Sequence, residues 1–480
     1  MRQTCSISIL TKVVRERTMP KELDKHKKYK TMYGSNELFW GFGLEEETYF
    51  QFTKPIYAAT PIIRTCHKAE RYSVNYYTGF KTGYLTLFAQ LFPDISGCVP
   101  LPFFFNGHSF DKMDLSDNHA TTYEKVPKPN PKFGKSFFTE LQMFCPPVFK
   151  DEYEKTFCFD GDTIEFITQG FYKVKLHMVL KELVDTKARF LKGVNAFLIK
   201  KRLHRDKGLL MYPPLNPGFA VFHSNPRNIA MFNSGTYHIN ITLPSMLGKK
   251  DETGLAPILY PELFKDQHRQ FIRCIQWIEP FLLALYGTAD PFSTLSPRYT
   301  KASQRCATSR YIGIGTYDTV LMTEGKILTI PIHEVKGYRT DFWWYKQYHK
   351  KSGYLPLDKI GMDINYKKHY NHGVELRIFD WFPEEKLKDL CTFLVYLADA
   401  SLCLPSVPEA CVSESWNDFV ISVIDEGKQC QLSGAMLGLY EKMFGIEFVG
   451  KHFTVETGFA FLFESIQRKY KMGFCAKCML

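Results

Sequence analysis

Phe42-Gly43-Leu44-Glu45-Glu46-Glu47-Thr48-Tyr49-Phe50 is the stretch on which the fold turns. Side chains alternate across a strand, so Glu45 and Glu47 project from one face. Two neighbouring carboxylates repel and raise each other's pKa unless a cation stands between them. On a buried sheet face the pair calls for a divalent metal. On an exposed face it is an ordinary acidic strand.

Three other short runs carry polar groups on one strand face and apolar groups on the other. Asp162–Thr168 sets Glu165 between Ile164 and Phe166, which point the opposite way. Ser234–Pro244 puts His238, Asn240 and Thr242 on one face and Ile239, Ile241 and Leu243 on the other. Gly373–Asp380 puts Glu375 and Arg377 on one face together with Phe379. Each run alone also fits a solvated strand, a structural histidine or a cross-strand ion pair. Taken together, Glu45, Glu47, Glu165, Glu375 and His238 form a set of oxygen ligands with one imidazole and no thiolate. Such a set suits Mg2+ or Mn2+ better than zinc. The reading requires these distant runs to meet in space.

Working outward, Arg298, Lys301, Arg305 and Arg310 precede Gly313-Ile314-Gly315-Thr316, a cationic loop with the makings of an anion cradle or of a solvated surface. Asn106-Gly107-His108-Ser109 and Arg64–Tyr72 offer further polar groups. No Walker phosphate loop, dinucleotide fingerprint or nucleophile elbow is present, so the common nucleotide-binding and hydrolase folds lose ground. Helical periodicity covers about 178–203 and 267–286, and Pro/Gly-rich 125–135 reads as a loop. After Pro383 the chain turns helical, from Glu384-Glu385 onward and again near 413–425 and 433–445. The expected organisation is a basic arm over 1–32, a mixed strand-and-helix domain over 33–384 and a helical extension over 385–480 packed on it.

The 480 residues are 45% apolar and 23% charged, the balance of a globular chain rather than a disordered one. The net charge is +11, and residues 1–32 hold nine basic against three acidic residues. That arm is a solvated tail or a weak contact for nucleic acid or acidic lipid. Met1, Met19 and Met32 are all candidate starts. Thirteen scattered cysteines without a framework, and no apolar leader after a basic start, point to free thiols in a reducing, cytoplasmic setting. Cys475 and Cys478 lack the second pair that a zinc site needs. No segment has the length and apolarity of a membrane span.

Gly-Leu-Glu-Glu-Glu at 43–47, Gly-Thr-Tyr-His-Ile-Asn at 235–240 and Glu-Leu-Arg at 375–377 stand in that chain order. The set resembles the carboxylate–amine ligases of the glutamine synthetase-like fold. These include glutamine synthetase, glutamate–cysteine ligases and the amidoligases, some from large DNA viruses. The amidoligases look most similar, over roughly 40–385 and in short motifs only. The resemblance implies an α+β fold: an antiparallel sheet, helices packed on one face, and a concave face holding two or three divalent ions and ATP. It implies that Glu45 and Glu47 match the paired acids of the G-x-E-x-E strand. Glu165 matches the amidoligase strand acid, His238 the first metal-binding histidine, and Glu375 the metal ligand of the E-x-R strand. Arg377 would meet phosphate or substrate, and Arg305 and Arg310 fall loosely among the phosphate-contacting arginines. Asn240 departs from the pattern, standing where a second histidine often stands. An amide there can still hydrogen-bond a phosphate or a carboxylate.

The activity so implied is ATP-dependent amide or peptide bond formation through an acyl phosphate, on an amino-acid or peptide carboxylate. Competing expectations are a guanidine kinase-like phosphotransferase, a structural protein that keeps the fold without turnover, and nucleic-acid binding through residues 1–32. Virion association and self-association stay open.

Overall fold

The computed structural model describes residues 32–48, 50–53, 104–105, 137–160, 163–212, 235–289, 300–303, 325–326, 364–366, 373–410, 413–450 and 452–480. The basic arm up to residue 31, the 125–135 loop, Arg64–Tyr72, Asn106–Ser109, Arg298, Arg305, Arg310 and Gly313–Thr316 lie outside them.

The Glu-rich run forms β1 (Leu38–Thr48). It pairs antiparallel with β5 (Thr163–Ile167) on one side and with β7 (Thr236–Met246) on the other. β4 (Phe157–Asp160) extends the sheet beyond β5, and β10 (Val374–Asp380) extends it beyond β7. β9 (Ile364–Tyr366) and β8 (Gly325–Lys326) complete the order β4-β5-β1-β7-β10-β9-β8, with every pairing antiparallel. A smaller sheet joins β3 (Phe104–Phe105), β2 (Phe50–Phe52) and β6 (Leu210–Met211) in that order. With the helices, this is an α+β fold on an antiparallel sheet.

The described helices used below are α1 (Phe137–Phe144), α2 (Leu176–Lys200), α3 (Pro261–Leu285), α4 (Leu387–Cys403), α5 (Glu414–Glu426), α6 (Gly434–Phe444), α7 (Val455–Tyr470) and α8 (Phe474–Met479). α2 lies on the sheet face that carries Phe166. Its Phe190 ring stands edge-on to Phe166 at 5.3 Å and to Phe157 at 4.8 Å. One apolar core runs from Phe42 and Tyr237 of the sheet through α3 and α4 to Met479 of α8.

Three departures from the periodicity have identifiable causes. β7 runs on through Pro244, where the β1 pairing shifts register between Phe39 and Gly41. A proline is tolerated at such an irregularity because no ladder bond is required of it. α3 starts six residues earlier than its apolar repeat, with Pro261 in its first turn, where a missing N–H costs nothing. It also continues through Pro280. The Gln276 carbonyl that Pro280 cannot serve accepts instead from the Trp416 indole at 2.9 Å.

β10 corrects an expectation. Leu376 pairs with Ile239 but Phe379 pairs with Tyr237, so β10 holds one residue more than β7 between those pairs. Such a bulge reverses the side-chain alternation beyond it. Phe379 therefore joins Tyr237 on the apolar face, and Asp380, opposite Thr236, takes the face of Glu375.

Candidate metal centre

The register brings the distant runs together. Glu47 stands opposite Glu165 on β5, Glu45 stands opposite His238 on β7, and Asn240 stands between Gly43 and Glu375. Directly opposed residues share a sheet face. Glu45, Glu47, Glu165, His238, Asn240 and Glu375 thus occupy one face of four adjacent strands. All are buried except Glu165, which is half-buried. Glycine at the start of this row has a steric reason. A Cβ on Gly41 would meet the Phe171 ring at 2.1 Å, so only glycine lets that ring close over the end of the face.

The imidazole is the hub. His238 Nδ1 lies 3.3 Å from Glu45 Oε2 and 3.8 Å from Glu375 Oε1, and Nε2 lies 3.5 Å from Glu47 Oε1. Arg377 Nη1 reaches both His238 Nδ1 and Glu375 Oε1 at 3.2 Å. Burial pushes the His238 ring down to about 3, and the Arg377 charge pushes the same way against Glu45 and Glu375. The ring is therefore neutral at neutral pH, and its approaches to carboxylates are not ion pairs. Burial also works against the Arg377 charge, but Glu375, Glu47, Glu45 and Glu165 outweigh it and raise its pKa.

Two observations fit a hard cation at this face. The first is charge: four carboxyl groups converge on one guanidinium and a neutral ring, an imbalance that a buried face does not sustain alone. One oxygen each from Glu45 and Glu165 and one ring nitrogen of His238 lie within 4.8 Å of one another. The second is unmet polarity: His238 Nε2 and Asn240 Oδ1 are buried without a hydrogen-bond partner. In the tautomer whose Nδ1 proton is donated to Glu45, which excludes acceptance from Arg377, the Nε2 lone pair turns toward Glu47 Oε1. Two electron pairs then face each other, and a cation between them removes the repulsion. A carboxylate that fixes the tautomer of a ligating histidine is a common arrangement. Asn240 holds its unsatisfied oxygen on the same face, so the departure from histidine keeps a donor atom there. Thr242 does not join them, because its hydroxyl accepts from Gly373 N at 2.9 Å and ties β7 to the start of β10.

The opposite face of β1 holds a network that alternation alone does not reveal. Glu46 points away from its two neighbours and is fully buried. Its Oε2 is 2.8 Å from Lys187 Nζ of α2, and its Oε1 accepts from the Trp381 indole at 2.8 Å. Lys187 also pairs with Glu384 at 2.5 Å and lies 4.6 Å over the Tyr212 ring. Burial raises the Glu46 carboxyl, and Lys187 opposes that shift. The only sequence sign was three consecutive acids, of which one had to face the apolar side.

Cys158 is the other group missed. It stands opposite Glu165 on β4, on the acidic face, and its thiol donates to Glu165 Oε2 at 3.0 Å. A signal existed: Gly161-Asp162 separates the paired ends Asp160 and Thr163, a two-residue hairpin pattern that extends the strand reading back to Phe157. Among the described cysteines none is in a disulfide, and Cys475 and Cys478 are buried in α8. Among the described residues no helix is long and apolar enough to cross a membrane.

The fold and site define an α+β protein with an acidic, histidine-centred sheet face. The chain is 35% identical over 458 residues to uncharacterized protein R704 of Acanthamoeba polyphaga mimivirus, covering 95% of this chain and 79% of that protein. It belongs to the same family as that protein, and a viral relative supports the viral origin implied by the sequence resemblance. No family model and no solved structure matches the chain.

Proposed function

We propose that the chain is an ATP- and divalent-cation-dependent carboxylate–amine ligase acting on an amino-acid or peptide carboxylate. The observation that carries this reading is the convergence of Glu45, Glu47, Glu165, His238 and Glu375, with Arg377 beside them, on one sheet face. In it, the carboxylates and the neutral imidazole hold Mg2+ or Mn2+, which supplies charge neutralisation to the phosphoryl group in transfer. Arg377, 18% exposed, borders the face, and its guanidinium can turn from Glu375 toward a phosphate oxygen. Asn240 offers its amide to a phosphate or a carboxylate. Arg305 and Arg310 complete the proposal as further phosphate contacts. The carboxylate takes the γ-phosphoryl group of ATP, releasing ADP and leaving an acyl phosphate. The amine then displaces inorganic phosphate and forms the amide.

The test is ATP consumption with Mg2+ and panels of amino acids and peptides, with product mass read alongside. An amide product, with turnover lost in Glu47→Gln, supports the reading. Equal turnover in both proteins removes β1 from the chemistry. A phosphorylated guanidine means a phosphotransferase, and no Mg2+-dependent ATP binding means a fold kept without catalysis.

A further inference from the structure

The carboxyl groups of the acidic face come from strands that are not neighbours. Glu45 and Glu47 stand on β1 and Glu375 on β10, with β7 between them. The β7–β10 ladder shifts register between Leu376 and Phe379, the interval that holds Arg377. A bulge bends the strand that carries it, so backbone pairing does not by itself set where Arg377 stands relative to Glu45 and Glu47. A side-chain bridge on the opposite face supplies that constraint. Glu46 projects there from between Glu45 and Glu47, and its Oε1 accepts from the Trp381 indole at 2.8 Å. Trp381 follows β10 directly, and its backbone N–H donates to Gly235 O, just before β7, at 2.9 Å. The bridge thus ties β1 to the end of β10 across β7. Lys187 Nζ, 2.8 Å from Glu46 Oε2, supplies the opposite charge that a fully buried carboxylate needs. Glu46, Trp381 and Lys187 are all buried, so water does not compete for these bonds.

We propose that Glu46 is a positioning residue: its bond to Trp381 sets the spacing between the β1 acids and the β10 pair Glu375 and Arg377, and with it the fit of a divalent cation. The inference rests on the cation-binding reading above and adds to it a residue that touches neither ion nor substrate. Groups that orient metal ligands from behind carry about ten- to a hundredfold of the affinity.

Mn2+ titration of the full-length protein, read from the electron paramagnetic resonance signal of the free ion, tests this with two matched tryptophan variants. Trp381→Phe and Trp416→Phe each take one buried indole N–H from its acceptor and keep a ring, but only the first breaks the β1–β10 bridge. Trp381→Phe should bind Mn2+ at least about tenfold more weakly. Trp416→Phe should bind it as the wild type does. Glu46→Gln/Lys187→Met, which drops both charges and keeps an oxygen for the indole, should also stay near the wild type. Wild-type affinity in Trp381→Phe overturns the positioning role and leaves the cation-binding reading standing. Equal weakening in both tryptophan variants would follow stability rather than position, and overturns it too. Lost affinity in Glu46→Gln/Lys187→Met assigns the effect to charge, with the same consequence. No Mn2+ binding by the wild type overturns both the positioning role and the reading beneath it.

Discussion

At the scale of single residues, the acidic face carries a cost in stability. Glu47 stands directly opposite Glu165, and like charges so placed destabilise a sheet by up to about 1 kcal/mol. Glu47→Gln should therefore raise the unfolding midpoint of the cation-free protein. On the proposed function, the same change should remove most of the stabilisation expected from Mg2+ or Mn2+, about 2.7 kcal/mol at a free ion concentration one hundred times Kd. Thermal unfolding with and without the ion reads both effects, and a variant less stable than wild type in both conditions would make Glu47 a structural residue. The six residues of the face were legible because strand alternation is strict over short runs. Phe379 was not, because a bulge changes the parity beyond it and leaves no mark in composition. Cys158 was not, because a four-residue strand holds too few residues for periodicity to register.

At the scale of elements, the strands' positions depend on helices whose own defects are repaired from far along the chain. Pro280 frees the Gln276 carbonyl inside α3, and the Trp416 indole from α5 takes it. Tyr440 of α6 binds the next carbonyl, that of Trp277, at 2.7 Å. Trp416→Phe keeps the ring but strands a buried acceptor, so it should cost about 1–3 kcal/mol in urea unfolding. The partners of an interior proline cannot be read from local sequence, since they lie more than a hundred residues away. His268 of α3 makes a second bridge: Nδ1 donates to Phe264 O at 2.7 Å, and Nε2 accepts from Leu243 N of β7 at 3.1 Å. Gly373 must be glycine beside it, since a Cβ there would meet His268 Nε2 at 2.1 Å. Burial pushes the His268 ring from 6.5 down to about 4. Between those values the unfolded chain binds a proton that the folded chain refuses. Stability is then full above pH about 6.5 and falls toward pH about 4, by on the order of 3 kcal/mol from this group. Unfolding midpoints across that range should drop less steeply in His268→Gln than in the wild type, and parallel curves would show that His268 does not drive the loss.

At the scale of the whole molecule, the helices after Pro383 share one core with the sheet. The periodicity from Glu384 onward marked them as helical, but nothing local could say what they pack on. The last of them is held by a buried acid. Asp399 of α4 accepts the backbone N–H groups of Cys475 at 2.7 Å and Ala476 at 2.8 Å, capping α8 from another helix. Burial raises the Asp399 carboxyl, and those two bonds pull it back. Lys175, just before α2, donates to Lys477 O at 2.6 Å, so α8 also touches the element that carries Lys187 and through it Glu46 of β1. A change at the C-terminus should therefore be felt at the sheet. Asp399→Ala leaves two buried N–H groups without an acceptor and should lower stability by about 1–3 kcal/mol. If the core is continuous, near-ultraviolet dichroism from its packed rings and far-ultraviolet dichroism from the helices should shift to the new midpoint together. Early loss of helical signal, with the ring signal unmoved, would mean instead that α8 frays alone and that its cap serves only the helix it closes.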